Sequence, residues 1–136
     1  MKYLLDTNVC VDYLNGRFPS VVRRIQQARP EDLATTSVVA AELRYGAEKS
    51  RQPARNHARL DLLLAEITVL DFDLPAASAY GALRARLEAR GHPIGAHDLL
   101  IAAQAIAAGL ILVTDNVREF ARVKGLVVEN WRREKS

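Results

Sequence analysis

A chain of 136 residues, 49% apolar and 26% charged, has the composition of one globular domain and leaves no room for a second core. Its single cysteine, Cys10, excludes an internal disulfide framework. A net charge of +3 and a pI near 9.3 suit an anionic partner such as nucleic acid without requiring one.

The predicted elements run as follows. Tyr3 to Leu5 is a short apolar run with strand character, and Cys10, within Val9-Cys10-Val11, reads as a small buried hydrophobe. Pro19 and Ser20 open a helix whose Val21, Val22, Ile25 and Ala28 share a face. A weaker strand follows at Leu33 to Thr36, and Ser37 is placed to cap a helix from Val38 to about Glu48. Polar residues 49–56, with Pro53 among them, read as a mobile loop. Ile67 to Leu70 is a strand. Asp73 then caps a long helix carrying the stripe Ala76, Tyr80, Leu83 and Leu87 and ending at Gly91. From Asp98 to Ala108 the helix is apolar nearly all round, which predicts a place at the centre of the domain. Leu110 to Val113 is a further strand and Leu126 to Val128 a fifth. Residues 1–131 form the expected domain, and 132–136 read as a charged, frayed, solubilising tail.

No segment has the pattern of a signal peptide, because only Tyr3, Leu4 and Leu5 separate Lys2 from Asp6. Leu99 to Val113 is too short for a membrane span and contains Gln104 and Gly109. A cytoplasmic protein without membrane contact is expected. Strands alternating with helices imply an α/β fold, a mostly parallel sheet covered on both faces.

Such sheets bind ligands outside the carboxyl ends of their strands. Asp6 directly follows the first strand, and Asp115 follows the strand ending at Val113 with Thr114 between. Glu42 lies about one turn inside its helix, and Asp98 begins the buried one. Four acids spread along the chain therefore converge on one edge. Gathered carboxylates repel one another, and a hard divalent cation such as Mg²⁺ or Mn²⁺ relieves the conflict. Such a cation polarises phosphate oxygens and activates water, which is the chemistry of phosphodiester hydrolysis. Taken singly, each acid is explained as a turn, cap or solvated residue. As a set they are not, because Glu42 interrupts Val39-Ala40-Ala41-Glu42-Leu43 and Asp98 leads into Leu99-Leu100-Ile101-Ala102. Thr7, Asn8, Ser37, Thr114 and Asn116 flank the acids and are candidates for orienting them, with local turn bonding an equal alternative.

The blocks LLDTNV, SVVAAELRYGAEKS, PIGAHDLLIAAQA and LVTDNVREF resemble a PIN-domain ribonuclease, and more narrowly the VapC-type toxin of bacterial type II toxin–antitoxin pairs. The resemblance runs from Met1 to about Trp131. It implies a three-layer α/β/α sandwich, Mg²⁺- or Mn²⁺-dependent endoribonuclease activity and a cognate antitoxin protein that blocks the site. It places the family's four acids on Asp6, Glu42, Asp98 and Asp115, of which the fourth is the most variable. The implied substrate is structured RNA, with tRNA anticodon loops the leading class and initiator tRNA a narrower one, cut by metal-activated water. Arg44, Lys49, Arg51, Arg55 and Arg118 are candidate phosphate contacts at the rim. A homodimer is also implied, with Leu60, Leu63 and Leu64 as outer apolar positions.

Other chemistries fit less well. An aspartyl phosphatase needs a second Asp where Asn8 stands, no Gly-x-Ser-x-Gly elbow is present, and His57, His92 and His97 lack zinc-ligand spacing. A non-catalytic RNA- or protein-binding PIN-like module is the remaining alternative, and retention of all four acids weighs against it.

Overall fold

A computed structural model of the chain describes residues 1–133. Five strands form one sheet: β1 (Tyr3–Leu5), β2 (Leu33–Thr36), β3 (Thr68–Leu70), β4 (Ile111–Val113) and β5 (Val128–Glu129). Their spatial order is β3-β2-β1-β4-β5, and every pairing is parallel. The expectation of a mostly parallel sheet is met by a wholly parallel one. Consecutive residues of β2 are all buried, so both faces of the sheet are covered and the fold is a three-layer α/β/α sandwich.

Among the described residues seven α-helices flank the sheet: α1 (Thr7–Leu14), α2 (Pro19–Gln27), α3 (Ser37–Lys49), α4 (Pro53–Glu66), α5 (Leu74–Ala89), α6 (Ala96–Ala108) and α7 (Val117–Phe120). Asp73 caps α5 as expected, accepting from the Ala76 amide at 3.0 Å. Buried Leu99 and Ile101 to Ala105 put α6 in the interior, and Gly109, in the left-handed region at φ 67, stops it. The β2 reading was weak because Thr35 and Thr36 are polar. Both are fully buried, with Thr35 donating to the Leu5 carbonyl at 2.8 Å and Thr36 capping α3 through the Val39 amide.

Four expectations are corrected. The cap of α3 is Thr36 rather than Ser37, which is already the first helical residue. Residues 49–56 are not a loop: only Ser50, Arg51 and Gln52 separate α3 from α4. That turn is pinned, with the Ser50 hydroxyl donating to the Ala47 carbonyl and Asn56 donating to Ser50. Leu60 and Leu63 do not face outward but pack in the chain's own core, leaving Leu62 exposed on that helix. Finally, Arg132 is not part of a frayed tail. It donates to Asp12 and Asp115, next to Trp131, which is buried and stacked edge-on against Tyr3. Residues 134–136 of the expected tail lie outside the described residues.

Cys10 is fully buried, and burial first, then the nearby Asp6 charge, pushes its thiol up to about 12. Native protein should therefore resist a maleimide reagent and react promptly in denaturant. Rapid labelling of the folded chain would contradict this packing.

Candidate active site

Strand order reverses at β1, which has β2 on one side and β4 on the other, and a crevice opens at such a point. Register carries the acids to it. Leu5 pairs with Val113, so Asp6 and Thr114 leave the sheet side by side, and the Asp6 amide donates to the Val113 carbonyl at 3.0 Å. Asp6 serves as the N-cap of α1, which fixes its backbone just before the helix. Glu42 reaches the crevice from α3, Asp98 from the first turn of α6, and Asp115 from the turn after β4.

Asp6 is 6% exposed and firmly held. One oxygen accepts from the Thr7 amide at 2.7 Å and the other from the Thr114 hydroxyl at 2.7 Å. Glu42 accepts from the Thr7 hydroxyl at 3.1 Å through Oε2. Its Oε1 is buried and accepts no hydrogen bond, and His97 Nδ1 lies 3.2 Å away, an ion-pair distance when the imidazole is protonated. Asp115 accepts from the Asn8 amide at 3.2 Å. Thr7, Asn8 and Thr114 thus each donate to one of three acids. Asn116 instead donates to a further acid, Glu119, at 2.7 Å, while Ser37 makes no hydrogen bond to the cluster.

Glu119 was missed in the sequence. It sits in α7, one helical turn beyond Asp115, and accepts from the Gly95 amide at 2.8 Å. Its carboxylate faces that of Asp98, whose proton affinity it raises while its own is lowered. The acidic spacing of Asp115 and Glu119 was the available signal, but a four-residue helix gives no periodicity to support it.

The electrostatics follow from this crowding. Burial chiefly, then the Glu119 charge, raises the Asp98 carboxyl to about 7, with Asp6 and Glu42 adding to the effect. Asp6 is also raised, mainly by burial and further by Glu42 and Asp115, against the lowering pull of its Thr114 and Thr7 bonds. Among the described residues no three acidic, histidine or cysteine side chains are grouped closely enough to hold a metal ion together as they stand. The donor set nonetheless suits a hard cation. It consists of carboxylates that raise each other's proton affinity, and one buried oxygen, on Glu42, lacks a hydrogen bond.

The proposed rim cations fare unequally. Arg44 is engaged elsewhere, donating to Asp61 at 2.6 Å and to the His57 carbonyl at 3.2 Å. Lys49, Arg51, Arg55 and Arg118 are exposed, and Lys49 lies about 10 Å farther along α3 than Glu42. Arg59 was not anticipated. It lines a largely apolar groove that also contains Thr7, Glu42, Leu43, Gly46 and Leu60.

Fold and site together define a doubly covered parallel α/β domain with an acidic crevice at its switch point. A family model described as PIN domain matches residues 3–126. Ribonuclease VapC2 of Rickettsia felis is 42% identical over 132 residues, covering 96% of this chain and 98% of that protein. The tRNA(fMet)-specific endonuclease VapC of Shigella flexneri is 43% identical over 131 residues, with the same coverage of each. Among solved structures, VapBC2 from Rickettsia felis bound to a DNA fragment from their promoter matches with a TM-score of 0.89 and 40% identity. That match spans 96% of this chain and 99% of the other. The chain belongs to the PIN domain family.

Asp98 generates a pH prediction. Its raised carboxyl means that the folded, metal-free state holds a proton between about pH 4 and 7 that the unfolded chain has released. This stabilisation is complete below the ordinary carboxylate range and is lost as pH rises toward 7. Asp98→Asn should flatten that decline and raise the Tm of metal-free protein at pH 8 relative to the unmodified chain. An equal or lower Tm for the variant at pH 8 would refute the repulsion described.

Proposed function

We propose that this chain is an endoribonuclease that depends on Mg²⁺ or Mn²⁺ and acts as the toxin of a toxin–antitoxin pair. The observation that carries the reading is the convergence of Asp6, Glu42 and Asp98 at the switch point, with Glu42 Oε1 unbonded. Similarity to proteins named ribonuclease and tRNA(fMet)-specific endonuclease over nearly the whole chain supports RNA as substrate and tRNA as its class. The likeness to a VapBC assembly supports a cognate antitoxin partner.

In this scheme Asp6, Glu42 and Asp98 hold the cation, with Asp115 at the margin. A bound divalent ion supplies charge stabilisation at the phosphate and lowers the pKa of water. The residues of the chain do the rest. Thr7 and Thr114 fix the carboxylates of Glu42 and Asp6, so that little reorganisation accompanies reaction. One of these carboxylates accepts the proton of the attacking water. The water oxygen bonds to phosphorus, the bond to the ribose 3′ oxygen breaks, and that oxygen takes up a proton. Products carry 5′-phosphate and 3′-hydroxyl ends. A loop target suits the open crevice, because unstacked bases can splay while phosphates are held.

Asp6→Ala or Asp98→Ala should lower cleavage of a tRNA substrate roughly a thousandfold, the scale of several kcal/mol of lost charge stabilisation. Thr7→Val and Thr114→Val should each lower it by roughly 10–100-fold, since they only orient a carboxylate. Cleavage should stop with a chelator. Activity that survives chelation, or products ending in 2′,3′-cyclic phosphate, would eliminate this chemistry. A non-catalytic module would show no cleavage in any metal.

A further inference from the structure

Asp115 is held by a residue from the far end of the chain. Arg132, following β5, places its guanidinium between α1 and the turn after β4. Its Nε and Nη2 donate to the two oxygens of Asp12 at 2.7 and 3.1 Å, and Nη1 donates to Asp115 Oδ2 at 3.0 Å. The guanidinium carbon lies 4.4 Å from the centre of the Phe18 ring. Phe18 is the one described non-glycine residue in the left-handed region, at φ 53, a strained conformation for a bulky side chain. That turn presents the ring face to Arg132.

The Asp12 side chain is only 2% exposed. Arg132 is 28% exposed, and an ion pair with one partner so deeply buried is rarely more stabilising than apolar residues of the same volume. Stability alone is therefore a poor reason for the pair. Its geometric consequence is specific: a bidentate, stacked guanidinium is locked in one orientation, with a donor left over for a carboxylate of the acid cluster. Among the described residues, Asp115 is the acid of that cluster in a salt bridge with an arginine, while Glu119 feels the charge of Arg122 without one. Its other oxygen accepts from Asn8.

We propose that Arg132, anchored on Asp12, is a positioning residue that neutralises Asp115, leaving Asp6, Glu42 and Asp98 to set the cation affinity of the site. Removing the guanidinium uncovers a further negative charge beside a crevice already crowded with Asp6, Glu42, Asp98 and Glu119. The inference rests on the metal-dependent reading given above.

The test is calorimetric titration of the purified full-length chain with Mn²⁺, with Tm recorded in parallel. In the otherwise unmodified chain, Asp115→Asn should change Mn²⁺ affinity by less than about twofold, its charge being already offset by Arg132. Arg132→Gln should tighten Mn²⁺ binding by on the order of tenfold, and adding Asp115→Asn should abolish that gain. Arg132→Gln strands Asp12 as a buried charge, so the double variant Asp12→Asn/Arg132→Gln, with amides in place of ions, is measured as well. It should show the same gain and the same loss. If Asp115→Asn weakens binding equally with and without Arg132, the proposal is overturned. A lowered Tm with unchanged Mn²⁺ affinity in both Arg132 variants overturns it too, and marks the pair as a structural clamp. Failure of the unmodified chain to bind Mn²⁺ removes the metal reading and this inference together. Binding without the coupling removes this inference alone.

Discussion

Carboxylates drawn together in a partly buried crevice repel one another, and this repulsion is the constraint on which the site depends. The sheet enforces the gathering. Register between β1 and β4 sets Asp6 beside Thr114, and helices from two other crossovers bring in Glu42 and Asp98. The rest of the local chemistry limits the damage. Thr7 and Thr114 hydroxyls satisfy individual oxygens, the Asp98 carboxyl is raised while that of Glu119 is lowered, and Arg132 takes up the charge of Asp115. What these devices leave over is proton affinity in Asp6 and Asp98 and an unbonded oxygen on Glu42. A hard cation, as proposed above, would relieve all three at once.

The site is built by backbone features of low cost. Asp6 caps α1 while one of its oxygens points back to Thr114, so a residue with an ordinary role in helix initiation also lies at the crevice. Thr36 caps α3, the helix that carries Glu42. Trp131 and Arg132 tie the last described segment to β1 and α1, with Ser20 donating to the Trp131 carbonyl at 2.7 Å. The segment after β5 thus belongs to the domain and reaches the edge of its site.

The sheet and the long helices were legible because apolar runs and stripes report burial directly. Asp6, Glu42, Asp98 and Asp115 were legible as acids at strand ends or in apolar settings. Other features were not. The helix α1 carries the β-branched Val9 and Val11 either side of Cys10, a short stretch with weak helical periodicity, and its start is dictated by the Asp6 cap. Residues 49–56 looked like a loop because Pro53 and polar neighbours mark both turns and helix starts, and here Pro53 opens α4. Glu119 and Arg132 act through contacts across the fold. Neither a four-residue helix nor a charged terminus signals in sequence which acid it will meet.

The most direct test of the cation-seeking acid cluster is proton release on Mn²⁺ binding, measured by titration calorimetry in buffers of different ionisation enthalpy. With the Asp98 carboxyl near 7, binding at pH 6.5 should expel about one proton, and release should vanish toward pH 9. Binding without proton release across this range would contradict the coupling of carboxylate repulsion to cation capture, as would no binding at all.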